Sequence, residues 1–220
     1  MDTLHQVTNN LLHLDKYLVT FVATHGLWTY LAAFAVIFAE TGLVIVPFLP
    51  GDSLLFALGS LTALPTNPLH LFLLWPLLIL AATIGNEVNY RIGRVLGPNL
   101  FSNGHARLID KKHFEEAHQF YEKHGGKTLL FARFIPVIRS FAPFVAGVSA
   151  MSLVSFHRYN ISSALLWVSS LLGIGYFFGS RPFVQTHFSM VLYGIVFISL
   201  LPPLITFLNQ KIRQRLRTPR

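Results

Sequence analysis

Apolar residues in this chain gather into long runs that are separated by polar segments. The runs over 159–180 and 182–210 contain no Asp, Glu, Lys or Arg. About 20 apolar residues are enough for a helix to cross a bilayer. The pattern therefore predicts transmembrane helices over 158–180 and 182–208, and a further one over 69–96.

Two other apolar stretches, 30–64 and 128–150, are interrupted by proline and glycine. Proline removes a helical hydrogen bond and forces the preceding residue towards extended geometry. Broken backbone at membrane depth is tolerated only where protein or a wet cavity covers it. We predict that each stretch is a re-entrant hairpin, which enters the membrane and leaves on the same side. The breaks are expected at Pro47, Pro50, Gly51, Pro136, Pro143 and Gly147.

The polar parts of the chain predict surface segments. Residues 1–26 mix apolar and polar side chains in a way that favours an interfacial helix. Residues 111–124 have one apolar and one charged face, which is typical of an amphipathic helix on the cytoplasmic surface. The segment 209–220 is strongly basic, and this places the C-terminus on the cytoplasmic side.

The side from which each hairpin enters follows from a cytoplasmic C-terminus. Counting crossings back from that end, the hairpin at 30–64 enters from outside and the hairpin at 128–150 enters from inside. Two broken hairpins of opposite approach, each followed by a spanning helix, indicate an inverted repeat with a site near the middle of the membrane.

Composition favours an all-α integral membrane protein with a single membrane domain. Hydrophobic residues make up 53% and charged residues 12% of the 220 positions, whereas soluble domains are about a quarter charged. The net charge of +8 is partly explained by the basic segment beside the membrane, so we expect no nucleic-acid partner. The chain has no cysteine, which excludes disulfides and thiolate chemistry.

Four charged residues lie inside the two broken stretches: Glu40 and Asp52 in the first, Arg133 and Arg139 in the second. A charge inside the bilayer costs about 2.5–3.5 kcal/mol by insertion scales, so such residues are either functional or paired with one another. Arginine presents a planar fork that suits phosphate oxygens, and we assign both arginines to substrate binding. Carboxylates removed from water can take up a proton, and we assign both acids to proton coupling.

These charges have two interpretations. In the first, proton uptake by the carboxylates releases the arginines to bind a lipid phosphate, and proton loss restores the internal pairs and expels the substrate. In the second, the four charges only neutralise one another and hold the hairpins together. The first is favoured because each charge lies beside a helix break, where a wet cavity is expected.

Several short motifs occur in order along the chain. They are Phe38, Glu40-Thr41-Gly42, Pro47 to Ser53, Asn89-Tyr90, Ile92-Gly93-Arg94, Phe120 to Lys127, Ala132-Arg133-Phe134, Pro136, Arg139, Phe141 to Gly147, Tyr159-Asn160 and Trp167. In these motifs the chain resembles the bacterial DedA family, within the class of membrane proteins that carry a VTT domain. The resemblance extends from residue 27 to residue 180.

The resemblance implies an inner-membrane protein with two opposed re-entrant hairpins. Members of the family are associated with envelope integrity and with moving lipids across the bilayer, including undecaprenyl phosphate, coupled to the proton gradient. The family's functional acids correspond to Glu40 and Asp52, and its functional arginines correspond to Arg133 and Arg139.

The chain departs from the family pattern at two positions. The family often has Asp where this chain has Asn86, and often Gly where it has Ser163. The first departure makes Glu87, which follows Asn86, a candidate accessory carboxylate.

We expect a multi-pass transporter or flippase that moves a phosphate-bearing lipid across the bacterial inner membrane, coupled to the proton gradient. The expected partners are membrane lipids and protons; no metal or cofactor is expected, and a homo-oligomer is left open. Two alternatives remain, an energy-independent lipid scramblase and a proton or cation antiporter. An enzyme with catalytic residues is not expected, because the chain lacks cysteine and the His-Glu-x-x-His and Gly-x-Ser-x-Gly motifs.

Overall fold

The computed structural model describes residues 14–43, 51–64, 69–102 and 125–187, and the single residues 190, 191 and 194. Within these ranges the chain is helical and contains no β-strand, which confirms the all-α prediction for them. The helices are α1 (Leu14–Gly42), α2 (Gly51–Thr62), α3 (Leu71–Ser102), α4 (Thr128–Ala132), α5 (Pro136–Val148), α6 (Leu153–Gly179) and α7 (Pro182–Thr186), and a 3-10 turn at Gly125–Lys127 precedes α4.

In the described part of the chain, two helices are long and apolar enough to cross a bilayer. They are the 71–96 part of α3 and the whole of α6. Large apolar side chains on both helices are exposed, for example Phe72 and Phe177, and such surfaces suit lipid tails better than water. The apolar part of α3 ends at residue 96, as in the predicted transmembrane segment 69–96, but the helix itself continues through Pro98 to Ser102. A single proline can bend a long helix without ending it.

The second broken stretch has its break between α4 and α5. Ile135 has an extended backbone (φ −109°, ψ 109°), and Pro136 is the first residue of α5. A residue before proline is pushed out of the helical region, whereas proline itself suits the first turn of a helix. The break predicted at Pro136 lies here.

Pro143 and Gly147 do not break α5, contrary to the prediction. Pro143 has no N–H to donate to the carbonyl of Arg139, four residues earlier. The carbonyl oxygen of the next residue, Ser140, accepts from Nδ2 of Asn89 in α3 at 2.9 Å, so a neighbouring helix holds the turn before the proline. Gly147 lies where α5 crosses α3, and a Cβ there would overlap the carbonyl oxygen of Tyr90, so this glycine serves helix packing.

The first broken stretch has its break between the end of α1 at Gly42 and the start of α2 at Gly51. Pro47 and Pro50, two of the predicted break positions, lie outside the described residues. A Cβ at Gly51 would overlap the carboxylate of Glu40. The glycine therefore allows α2 to begin directly beside the end of α1.

Other predicted segments are described only in part or not at all. Residues 14–26 of the predicted interfacial helix belong to α1, which is kinked at His25 (φ −118°, ψ 21°). The predicted amphipathic helix at 111–124 and the basic tail at 209–220 lie outside the described residues. Helix α7 occupies the first residues of the helix predicted over 182–208, but it ends at Thr186, where His187 leaves the helical conformation (φ −119°, ψ 28°).

Each broken stretch places one of its helices on α3 and the other on α6. Helices α1 and α5 pack along α3, whereas α2 and α4 pack against α6. Glycines allow close approach at both main contacts: a Cβ at Gly93 would overlap the backbone of Phe144 in α5, and a Cβ at Gly175 would overlap the backbone of Phe56 in α2. Each helix that follows a break thus rests on the long helix of the other half, and the residues beside the breaks come together.

Candidate functional site

Charged residues from the two broken stretches meet inside the protein. Glu40 lies in the last turn of α1, Asp52 in the first turn of α2, Arg139 in α5, and Arg133 between α4 and α5. Arg139 donates from Nη1 to Oδ1 of Asp52 at 2.8 Å and from Nη2 to Oε1 of Glu40. One guanidinium therefore joins the acidic stretch to the basic one.

Glu40 is the most deeply buried of the ion-paired groups at the site. The exposed fractions of the side chains are 2% for Glu40, 12% for Arg139 and 24% for Asp52. The Oε2 atom of Glu40 has no hydrogen-bond partner in the described part of the chain. Burial disfavours an ionised carboxylate, whereas the neighbouring guanidinium favours it. The charge on Glu40 therefore depends on whether Arg139 stays beside it.

Arg133 differs from Arg139 in its partners. It is 5% exposed, and it donates from Nη1 to Oγ of Ser163 at 2.9 Å and from Nη2 to the carbonyl oxygen of Ala82 at 3.4 Å. Both acceptors are neutral, and among the described residues no carboxylate lies within ion-pair distance of Arg133. A buried cation without a direct anionic partner is poorly compensated. An anion entering the site would gain most at this guanidinium.

Trp167 of α6 lies between the acidic and the basic groups. Its indole Nε1 donates to Oδ1 of Asp52 at 2.9 Å. Its ring centroid is 5.1 Å from Cζ of Arg133 and 5.9 Å from Cζ of Arg139, within the range of cation–π attraction. The indole thus interacts with three of the four charged residues.

A small cavity lies between these groups. Its walls include Glu40, Thr41, Asn86, Arg133, Arg139 and Trp167. The cavity has a volume of about 20 Å³, which is room for a water molecule but too little for a phosphate group. In this conformation Arg139 is paired internally with Glu40 and Asp52.

Comparison with known proteins identifies the family. The VTT domain model matches residues 49–177, more than half of the chain. The chain is 46% identical over 211 residues to Protein DedA of Escherichia coli (strain K12), and the match covers 96% of each chain. The chain belongs to the DedA family of membrane proteins.

Other DedA-family relatives are less similar and match a shorter part of the chain. An uncharacterized membrane protein of Mycobacterium tuberculosis (strain H37Rv) is 42% identical over 171 residues, which cover 78% of this chain and 75% of the relative. Inner membrane protein YqjA of Escherichia coli (strain K12) is 37% identical over 153 residues, which cover 70% of this chain and 69% of the relative. No solved structure matches the chain.

The site also contains uncharged polar residues to which the sequence pattern assigned no role. Asn86 of α3 donates from Nδ2 to Oδ1 of Asn160 in α6 at 2.9 Å, and Asn160 donates to the carbonyl oxygen of Thr83 at 3.0 Å. Ser163, one turn beyond Asn160, accepts from Arg133. An amide within an apolar helix needs a hydrogen-bond partner when it is buried. That signal, weaker than a buried charge, could have marked these residues.

Glu87, the candidate accessory carboxylate, does not join the four charges. Its Oε1 is 2.8 Å from Nε of Arg91, and its Oε2 is 3.0 Å from Nε2 of His157. Asn86 lines the cavity, but Glu87 does not. Glu87 therefore lies apart from the cavity and has ion-pair partners of its own. Among the described residues, no group of three His, Asp or Glu could hold a metal ion.

Proposed function

We propose that this DedA-family protein moves a phosphate-bearing lipid, such as undecaprenyl phosphate or a phospholipid, across the bacterial inner membrane, coupled to the proton gradient. The observation that carries the proposal is the unequal pairing of the two arginines. Arg139 is held by both Glu40 and Asp52, whereas Arg133 has only neutral acceptors in the described part of the chain. A phosphate bound at Arg133 would compete with the carboxylates for Arg139.

Proton uptake decides that competition. Ionised Glu40 holds Arg139 in the arrangement in which the guanidinium pairs with both carboxylates. A proton on the carboxylate removes most of its attraction for the guanidinium, and Arg139 can then bind phosphate through two parallel hydrogen bonds. When the proton leaves, the internal pair forms again and the phosphate is released. Movement of the lipid is thereby linked to movement of protons.

The proposed site lies between two re-entrant hairpins that form an inverted repeat. The crosswise packing of α2 on α6 and of α5 on α3 supports this arrangement, because the same relation occurs in both halves. Irregular backbone is tolerated at membrane depth only beside protein or a wet cavity, and described residues beside both breaks, such as Thr41 and Arg133, line the cavity. We place the protein in the inner membrane as a multi-pass protein with a cytoplasmic C-terminus; the name of a relative and the basic tail support this.

Transport in proteoliposomes tests the proposal. The purified protein is reconstituted with undecaprenyl phosphate or with a fluorescent phospholipid, and movement between leaflets is measured with and without a proton gradient. We expect gradient-dependent movement that falls about ten-fold or more in Arg133→Ala and in Glu40→Gln. Each substitution removes a charge-assisted contact of the exchange, and such a contact is worth about 1.5–3 kcal/mol.

Arg91→Ala is the matched control, because this arginine is 72% exposed and pairs with Glu87 outside the site. Equal movement with and without the gradient would identify a scramblase instead, and ion flux without lipid movement would identify an antiporter. Lipid movement and pH dependence that stay unchanged in both Arg133→Ala and Glu40→Gln would overturn the proposal.

A further inference from the structure

Trp167 is the side chain that the acidic and basic groups of the site share. It is 2% exposed, and its N–H donates to the same Oδ1 atom of Asp52 that accepts from Nη1 of Arg139. Its ring lies 5.1 Å from the guanidinium carbon of Arg133 and 5.9 Å from that of Arg139. A change of partner by Arg139 therefore takes place beside this indole.

Once Arg139 binds another anion, Asp52 and Glu40 differ in the hydrogen-bond donors that remain to them. Asp52 keeps the indole N–H, which is a donor only and cannot act as an acceptor. Glu40 loses the donor at Oε1, and its Oε2 has none among the described residues. Hydrogen bonds to the ionised form stabilise it, and burial destabilises it. The exposed fractions, 2% for Glu40 and 24% for Asp52, act in the same direction.

We propose that Trp167 gives the two acids different roles: it holds Asp52 by a hydrogen bond and positions both guanidiniums, so that Glu40 takes up the proton. The inference rests on the proposed function, because the step it serves is the exchange of Arg139 between carboxylate and phosphate. In that step a hydronium ion gives its proton to Glu40 and becomes water, and Glu40 returns the proton to water when Arg139 comes back. Trp167 is a positioning residue, since it acts through Asp52 and the arginines.

The other groups around Glu40 agree with this assignment. The charged groups that face it across the site are Asp52 of α2, Arg139 of α5 and Arg133 between α4 and α5. Helix α3 faces the cavity with neutral Asn86, and α6 faces it with neutral Trp167. Of the two acids, Glu40 is the one that departure of Arg139 leaves with no described donor.

Infrared difference spectroscopy between alkaline and acidic pH tests the assignment without any substrate. A protonated carboxyl group has its own C=O band, and subtracting the spectrum of a variant isolates the contribution of one residue. We expect Glu40→Gln to lack a band that wild type and Asp52→Asn both show. Trp167→Phe keeps an aromatic face but loses the N–H, so a second band should appear in it, and adding Asp52→Asn should remove that band.

Trp75→Phe is the matched control, because the indole of Trp75 also donates, to Oγ of Ser169 at 2.8 Å, but lies outside the site. Its titration should equal that of wild type. A band that is lost in Asp52→Asn and kept in Glu40→Gln overturns the proposal, and so does a Trp167→Phe titration equal to that of Trp75→Phe. If Trp167→Phe does not fold, the Glu40 and Asp52 variants still decide which acid takes up the proton.

A second measurement adds monododecyl phosphate, a single-chain lipid phosphate, to the same proteins. Trp167→Leu removes both the ring and the N–H, so it should weaken binding of this probe about two- to thirty-fold, the worth of a cation–π contact, while Trp75→Phe should bind as wild type does. Absence of binding to every protein, wild type included, would count against the lipid-phosphate function. The infrared result would then still decide the roles of Glu40 and Trp167.

Discussion

Removal of Arg139 leaves two carboxylates without their shared cation, and the cost follows from their burial. Glu40 is 2% exposed and has almost no access to water, whereas Asp52 is 24% exposed and keeps some. Breaking a buried ion pair by removing one partner costs about 3–5 kcal/mol. For a chain of this size each kcal/mol lowers the melting temperature by about 2–4 °C. Arg139→Gln should therefore melt about 6–20 °C below wild type.

A double-mutant cycle in detergent measures this coupling. Adding Glu40→Gln to Arg139→Gln removes the buried unpaired charge, so the double variant should melt above Arg139→Gln, with a coupling of about 2–3 kcal/mol. Changing the pH gives an independent test of the same coupling. In both proteins acidification neutralises Glu40, whose burial disfavours its charge; in Arg139→Gln the Arg139 guanidinium no longer offsets that burial, so acidification should favour the variant more than wild type. The difference in melting temperature between wild type and Arg139→Gln should therefore narrow as the pH falls.

Arg91→Gln serves as the control for this experiment. Arg91 also pairs with a glutamate, but its side chain is 72% exposed. An exposed pair is worth at most about 1 kcal/mol, so the loss should be about 4 °C or less. The reasoning is refuted if the losses of Glu40→Gln and Arg139→Gln simply add, or if acidification widens the gap between Arg139→Gln and wild type.

Two further predictions concern packing and the second arginine. Gly147→Ala places a Cβ against the backbone of Tyr90 and should cost about 1–3 kcal/mol of stability by overpacking. Gly173→Ala is the control, because a Cβ there meets nothing within 4 Å, and it should not destabilise. Equal melting temperatures of the two variants would contradict this prediction. Ser163→Ala removes an acceptor of buried Arg133 and should cost about 1.5–3 kcal/mol, and monododecyl phosphate should restore part of that loss by accepting from the vacant N–H; a melting temperature as in wild type would contradict it.

The four charges could be found from the sequence because a charged side chain in an apolar stretch needs a partner or a ligand. Their pairing could not be found in this way. Arg139 reaches both Glu40 and Asp52 because α5 lies along α3 while α2 lies along α6, and this packing depends on residues far apart in the chain. The transport and proton-coupling roles of the four residues remain predictions.

The prolines also show what local sequence alone cannot predict. Pro136 and Pro143 look alike in the sequence, since each interrupts an apolar stretch. Pro136 begins a helix, whereas Pro143 lies inside one, where Asn89 from another helix supplies a donor to the carbonyl of Ser140. The two prolines thus differ in the helices packed around them, and local sequence does not reveal those neighbours.

The pairing at the site argues against a purely structural role for the charges. A network that only held helices together would be most stable with each arginine paired to one carboxylate, because a buried charge without a close partner is costly. Instead Arg139 takes both acids, and Arg133, which is 5% exposed, has neutral acceptors among the described residues. The two acids and two arginines sum to zero charge, but both acids pair with the same arginine. An anion bound at Arg133 would relieve that imbalance, and this makes exchange of partners a better explanation than permanent attachment.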